Sequence, residues 1–276
     1  MYIFFSERCL EYNSPYHPES PERVQHAYNY LKKKYPFKEA VSCTEADILL
    51  VHTPEHLERV KRLNFYDPDT PQIPDIYEHG RLSIGGAIQA AQKTDSFSLM
   101  RPPGHHAGKN FLGGFCYFNN IAIAVIKVLP KYKKIAILDI DGHHGNGTEE
   151  IFKRHSEVIY VSLHQFPAYP GTGLSSSGNI KNFPLPPGTS SPRYLKKFEK
   201  AVEEIDSFKP KLLAISAGFD AYEEDPLLQL ALKIDTYFKI GKILKELKLP
   251  FFAVLEGGYT NRVGEGIDNL LRGLQE

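Results

Sequence analysis

Four short stretches of the chain concentrate residues able to do chemistry: RPPGHHAG (101–108), DGHHGNGT (141–148), GFDA (218–221) and GGYT (257–260). Asp139, Asp141 and His143 alternate at i, i+2 and i+4, so an extended backbone would turn all three to the face that already carries Ile135 and Ile137. Two carboxylates in apolar surroundings demand a cation. Carboxylates with an imidazole suit a divalent metal such as zinc. The blander alternative is a pair of surface acids at a strand end, with His143 in a turn. His105 and His106 follow a rigid Arg-Pro-Pro-Gly turn. Two adjacent imidazoles with different partners can hold different protonation states, as proton transfer near neutral pH requires; a solvent-exposed pair would read the same way. Asp220 and Tyr259 stand beside glycines, which implies tight turns and close backbone approach.

The elements that must position these residues are legible as alternation. Short apolar runs at 2–5, 47–51, 97–100, 134–140, 158–163, 211–217 and 251–257 have the continuous character of strands buried on both faces. Helical periodicity fits 21–35, 54–64, 77–93, 117–130, 146–154, 191–207, 235–247 and 264–275, with Pro21, Pro54 and Pro192 at tolerated first-turn positions. Such alternation predicts an α/β fold, a mainly parallel sheet with helices on both sides, forming one domain over 1–276. The reactive stretches follow four of the runs, and in open parallel sheets ligands bind outside the carboxyl ends of the strands. Long Pro- and Gly-rich connections at 65–76, 101–114 and 164–190 are expected to be functional loops.

Composition removes several classes. Lys and Arg number 33 and Asp and Glu 33, so no net field recruits nucleic acid or an anionic membrane. No apolar stretch is long enough to span a bilayer, and the N-terminus lacks the layout of a signal peptide. Three cysteines without paired spacing fit reduced thiols in a cytoplasmic protein and cannot form a four-cysteine zinc site. There is no Walker loop, no GxGxxG after a strand and no GxSxG serine elbow. His26, His52, His56 and His79 read as surface or satisfied structural groups.

In order along the chain, HPESPER (17–23), DPDTP (67–71), RPPGHHA (101–107), GGFCYFNN (113–120), DIDGHHGNGT (139–148), VSLH (161–164), AGFDA (217–221) and LEGGY (255–259) resemble the superfamily of zinc-dependent histone deacetylases, acetylpolyamine amidohydrolases and acetoin-utilisation proteins. The resemblance implies the three-layer α/β/α sandwich of the arginase–deacetylase fold. It implies Zn2+, with Fe2+ able to substitute, held by Asp141, His143 and Asp220. His106 would be the general base and acid, and His105 a charged neighbour partnered by Asp139. Tyr259 would be the oxyanion donor. Asn146, where class I deacetylases carry Asp, implies a class II-like member and a less basic His106. Gly114, Phe115 and Tyr169 would form the substrate tunnel, Asp69 its rim, and Arg23 would lie near an inner channel. A structural K+ would sit on the backbone around Asp139, Asp141, His143, Ser162 and Leu163.

Leu227 stands where polyamine-selective members of this superfamily carry Glu, so the resemblance favours an acetylated lysine peptide over an acetylpolyamine or other small acetylated amine. Two competing readings are a catalytically silent acyl-amine binding protein, opposed by the intact His105, His106 and Tyr259, and a two-manganese ureohydrolase, opposed by Asn146.

Overall fold

The computed structural model describes residues 1–276. Eight strands form one sheet: β1 (Tyr2–Phe5), β2 (Phe37–Glu39), β3 (Ser96–Ser98), β4 (Ile135–Asp139), β5 (Val158–Gln165), β6 (Ile180–Leu185), β7 (Leu212–Ala217) and β8 (Phe251–Leu255), in the order β2-β1-β3-β8-β7-β4-β5-β6. Every pairing is parallel. The helices are α1 (Pro21–Leu31), α2 (Glu45–Ile48), α3 (Pro54–Lys61), α4 (Ile76–Lys93), α5 (Asn120–Tyr132), α6 (Asn146–Phe152), α7 (Ser191–Phe208), α8 (Thr236–Lys245) and α9 (Val263–Gln275).

Alternation along β4 shows why this is a three-layer sandwich. Ala136 and Leu138 join the core built with α1, α7, α8 and α9. Ile135 and Ile137 join the core built with α2 to α6. Both faces are therefore apolar, and the central strands carry no polar face to solvent.

Three readings of the sequence are corrected. The run 47–51 is not a strand: Thr44 caps α2 through a capping box with Asp47, and the chain turns after Ile48. The strands β2 and β6 lie where none was expected; β2 is a three-residue edge, and β6 carries Pro184 on the opposite edge, where a missing N–H is tolerated. Of the four bland histidines, His26 is exposed, but His52, His56 and His79 are buried. His52 Nε2 accepts the Asn119 N–H at 2.9 Å and His56 Nε2 meets Tyr117 O at 2.8 Å, while the Nδ1 atoms of all three have no protein partner.

Candidate active site

The strands β3, β8, β7 and β4 are neighbours, so the stretches that follow them meet at one end of the sheet. One ligand atom each from Asp141, His143 and Asp220 falls within 4.8 Å of the others. His143 Nδ1 lies 2.6 Å from Asp220 Oδ2 and 3.3 Å from Asp141 Oδ1. Asp141 and Asp220 are fully buried, and neither meets a guanidinium or ammonium group. Burial opposes a charged His143, but Asp220 and Asp141 outweigh it and hold the imidazole up at about 10. Without a metal, that proton on His143 balances the two carboxylates; a divalent cation held by the same three donors would take its place, and the donor set of one imidazole and two carboxylates fits such a metal. A side chain at residue 257 would intrude here: a Cβ on Gly257 would lie 2.6 Å from Asp141 Oδ2 and 2.8 Å from Asp220 Oδ2, whereas its N–H donates to Asp141 at 2.7 Å.

Asp139 does not join this trio, contrary to the expectation that alternation would put it beside Asp141 and His143. β4 ends at Asp139, and the chain then turns, with Asp141 N donating to Asp139 Oδ1 and His143 N to Asp141 Oδ1. Asp139 Oδ2 instead meets His105 Nδ1 at 3.0 Å and accepts from Tyr160 at 2.8 Å. Burial would lower the His105 pKa, but Asp141 and Asp139 outweigh it and push it up to about 10, which favours the protonated imidazole. His106 moves the other way. Burial, then the charges of His105 and His143, press it well below 6.5, and its Nδ1 faces the neutral Asn146 Oδ1 at 2.8 Å. With Nδ1–H donating to that carbonyl, Nε2 is left as a free base. The two adjacent histidines are therefore shifted in opposite directions.

A cavity of about 210 Å³ is lined by Asp69, His105, His106, Gly114, Phe115, His143, Tyr169, Leu227 and Tyr259. The aromatic ring of Tyr169 stands edge-on to His106 with centroids 5.1 Å apart, and that of Phe115 edge-on to Tyr259 at 5.7 Å. Gly114 has φ +52°, and a Cβ there would approach His106 Cδ2 to 2.5 Å. Asp69 and Leu227 are both exposed at the mouth. Arg23 is buried beneath Tyr259: Nε donates to Gly258 O at 2.7 Å, and its guanidinium carbon lies 5.0 Å from the tyrosine ring centroid.

Three residues that sequence reading passed over hold this arrangement. Glu256, fully buried, accepts the N–H groups of Gly104 and His105 at 2.7 and 3.1 Å and the Ser216 hydroxyl at 3.0 Å. Thr70 Oγ1 accepts the Phe115 N–H at 3.0 Å. Asp225 accepts the Tyr259 N–H at 2.7 Å and the Leu227 N–H at 3.1 Å. A buried acid in LEGGY was the one available signal, since an unpaired acid in an apolar run needs donors.

A family model described as a histone deacetylase domain matches residues 17–274. The chain is 37% identical over 290 residues to a "Probable deacetylase" of Archaeoglobus fulgidus, covering 94% of this chain and 81% of that protein. Among solved structures it is similar to the HDA15 HD domain, with TM-score 0.91 and 31% identity, over 100% of this chain and 91% of that one. An acetylpolyamine aminohydrolase from Burkholderia pseudomallei aligns with TM-score 0.88 and 25% identity, over 99% and 98% of the two chains.

Proposed function

The chain belongs to the histone deacetylase family of enzymes, which hydrolyse acetylated amines, and from that premise we propose that it cleaves the acetyl amide of acetyl-lysine-type substrates with one zinc ion held by Asp141, His143 and Asp220. The observation that carries the reading is the meeting of those three side chains next to a cavity lined by His105, His106 and Tyr259. Bound there, zinc supplies a Lewis acid for the amide carbonyl and makes water more acidic; iron(II) suits the same donors. A structural K+ belongs to the same reading, supported by the register that sets Asp139 beside Ser162, both fully buried.

The chain's own residues supply the rest. Phe115 and Tyr169 grip the alkyl stem while Gly114 keeps the wall close to His106. His106 Nε2 takes a proton from the attacking water and passes it to the nitrogen of the departing amine. Its low pKa keeps it unprotonated at the start, and Asn146 fixes the tautomer. His105, whose protonated form Asp141 and Asp139 favour, offsets the negative charge that develops at the reacting centre. The Tyr259 hydroxyl donates to the carbonyl oxygen as charge builds there. One such donor supplies about 2.7–4 kcal/mol of transition-state stabilisation, so Tyr259→Phe is expected to lower kcat about 100- to 1,000-fold on a fluorogenic acetyl-lysine amide, with the fold and metal content unchanged. Turnover by Tyr259→Phe at the wild-type rate refutes the role given to the hydroxyl. Measurable turnover by the native chain separates the enzyme from a silent binding module, and one metal per chain rather than two separates it from a ureohydrolase.

A second reading, an acetylpolyamine or other small acetylated amine, draws on the mouth of the cavity. Asp69 lines it with no basic side-chain partner, and Asp67 accepts the Asp69 N–H at 3.1 Å, a setting that favours a substrate whose far end is cationic. The name of the Burkholderia pseudomallei protein points the same way. Apolar Leu227 on the cavity wall favours the neutral stem of acetyl-lysine. Relative kcat/KM across acetyl-lysine peptides and acetylated diamines decides between them.

A further inference from the structure

Tyr259 lies between elements, after the end of β8 at Leu255 and before the start of α9 at Val263. Its preceding residue, Gly258, has φ +114°, so the backbone at this point follows no regular ladder. The only hydrogen bond made by the Tyr259 N–H is to Asp225 Oδ2, at 2.7 Å. The other oxygen of the same carboxylate accepts the Leu227 N–H at 3.1 Å. Asp225 is 5% exposed and meets no basic side chain. Its own loop is braced: Asp225 N donates to Tyr222 O at 2.9 Å, Glu223 N to Leu232 O at 2.9 Å, and Leu232 N to Ala221 O at 3.2 Å.

A buried carboxylate without a basic partner is costly unless its donors hold it in place. Here the donors are two backbone amides from segments that carry opposite parts of the same cavity: Tyr259 at the reacting end and Leu227 in the wall. We propose that Asp225 is a positioning residue that fixes the Tyr259 hydroxyl and the Leu227 wall in one register, so that oxyanion stabilisation and substrate selection are set together through one side chain. The inference rests on the reading of Tyr259 as the oxyanion donor. Its hydroxyl makes no hydrogen bond within the protein, so the aim of that group depends on how the backbone and ring are held. The ring is held by Phe115 and Arg23, and the backbone amide by Asp225.

The test is a double-mutant cycle on the full chain loaded with zinc, using Asp225→Ala, Tyr259→Phe and the pair. The substrates are two acetyl-lysine amides that differ only in the bulk of the group beyond the lysine backbone. Zinc content and thermal unfolding are measured on every variant. Asp225→Ala is expected to lower kcat about 10- to 100-fold and to change the ratio of kcat/KM between the two substrates, at unchanged zinc content. The double variant is expected to be no slower than Tyr259→Phe alone, because residues that act as one unit are non-additive. Asp225→Asn, which keeps one acceptor oxygen and loses the other, should fall between wild type and Asp225→Ala. If Tyr259→Phe is as fast as wild type, the reading of the hydroxyl falls, and this inference with it. If Tyr259→Phe is slow but Asp225→Ala matches wild type, or the two losses multiply, the inference alone is overturned. A merely structural role would lower stability without producing the shared loss in kcat or the altered substrate ratio.

Discussion

Glu256 offers the sharpest test of how the tandem-histidine turn is held. Its carboxylate accepts from Gly104 N, His105 N and Ser216 Oγ, and burial pushes its pKa up to about 7. Truncation by Glu256→Ala strands three buried donors. Each costs about 1–3 kcal/mol when left unsatisfied, so the variant should lose roughly 3–9 kcal/mol, a large share of the about 5–15 kcal/mol that a domain has in hand. At about 2–4 °C per kcal/mol for a chain near this size, the melting temperature should drop by roughly 6 °C or more. The turn carrying His106 would be free to shift, and a displacement of about 1 Å at a reacting group costs about 100-fold. Glu256→Gln is the control. Its amide oxygen can accept both N–H groups, and its NH2 can donate to a Ser216 hydroxyl that has rotated to accept. That variant should unfold within a few degrees of wild type, roughly 4 °C, and retain kcat within about tenfold. The assays are thermal unfolding by circular dichroism and turnover of an acetyl-lysine amide. Wild-type stability and kcat in Glu256→Ala would show that this carboxylate does not hold the turn. Equal damage in Gln and Ala would assign the effect to charge and not to hydrogen bonding.

Further outcomes follow from the same geometry. Asn146→Asp places a carboxylate 2.8 Å from His106 Nδ1 and should raise its pKa, so the acid limb of the pH dependence of kcat/KM moves to higher pH; an unmoved limb refutes His106 as the titrating base. Leu227→Glu should shift the ratio of kcat/KM toward acetylated diamines by about 2- to 5-fold at low salt and lose most of that gain at 1 M salt, because Leu227 is 38% exposed and an ion pair there is screened. His56 is buried, and burial lowers its pKa to about 4. Below pH 6.5 the unfolded chain therefore takes up a proton that the folded chain refuses, and stability falls with pH. His56→Gln keeps a donor for Tyr117 O and removes this titration. Relative to wild type the variant should gain about 2 kcal/mol between pH 6.5 and pH 5, read by urea unfolding at the two pH values.

The strands that carry the chemistry were readable because β3, β4, β7 and β8 lie in continuous apolar runs that lead into the polar stretches. Length and composition did not separate 47–51 from them, although Thr44 and Asp47 stood in the sequence as a capping pair. β6 was hidden by Pro184 and by its place in a stretch rich in Gly and Pro. Period-two alternation placed Asp139 with Asp141 and His143 because nothing in the residue types marked the end of β4. The histidines, aspartates and tyrosine lining or flanking the cavity were legible as side chains whose types advertise their use. Glu256 and Asp225 were not, since each acts on backbone amides, Glu256 reaching 152 residues and Asp225 34 residues along the chain. Any residue has an amide, so such a partnership leaves no pattern in the letters.

Residues 256–259 are fastened at every position: the Glu256 side chain to the turn at 104–105, Gly257 N to Asp141, Gly258 O to Arg23, and Tyr259 N to Asp225. Four successive residues thus clip to four separate segments, like the wards of a key. Adding or deleting one residue between β8 and Tyr259 would throw all four out of step together, whereas point changes disturb them one at a time. Loop grafting aimed at new substrates therefore has to leave the length of this tetrapeptide untouched and work instead on the far wall, around Leu227 and Asp69.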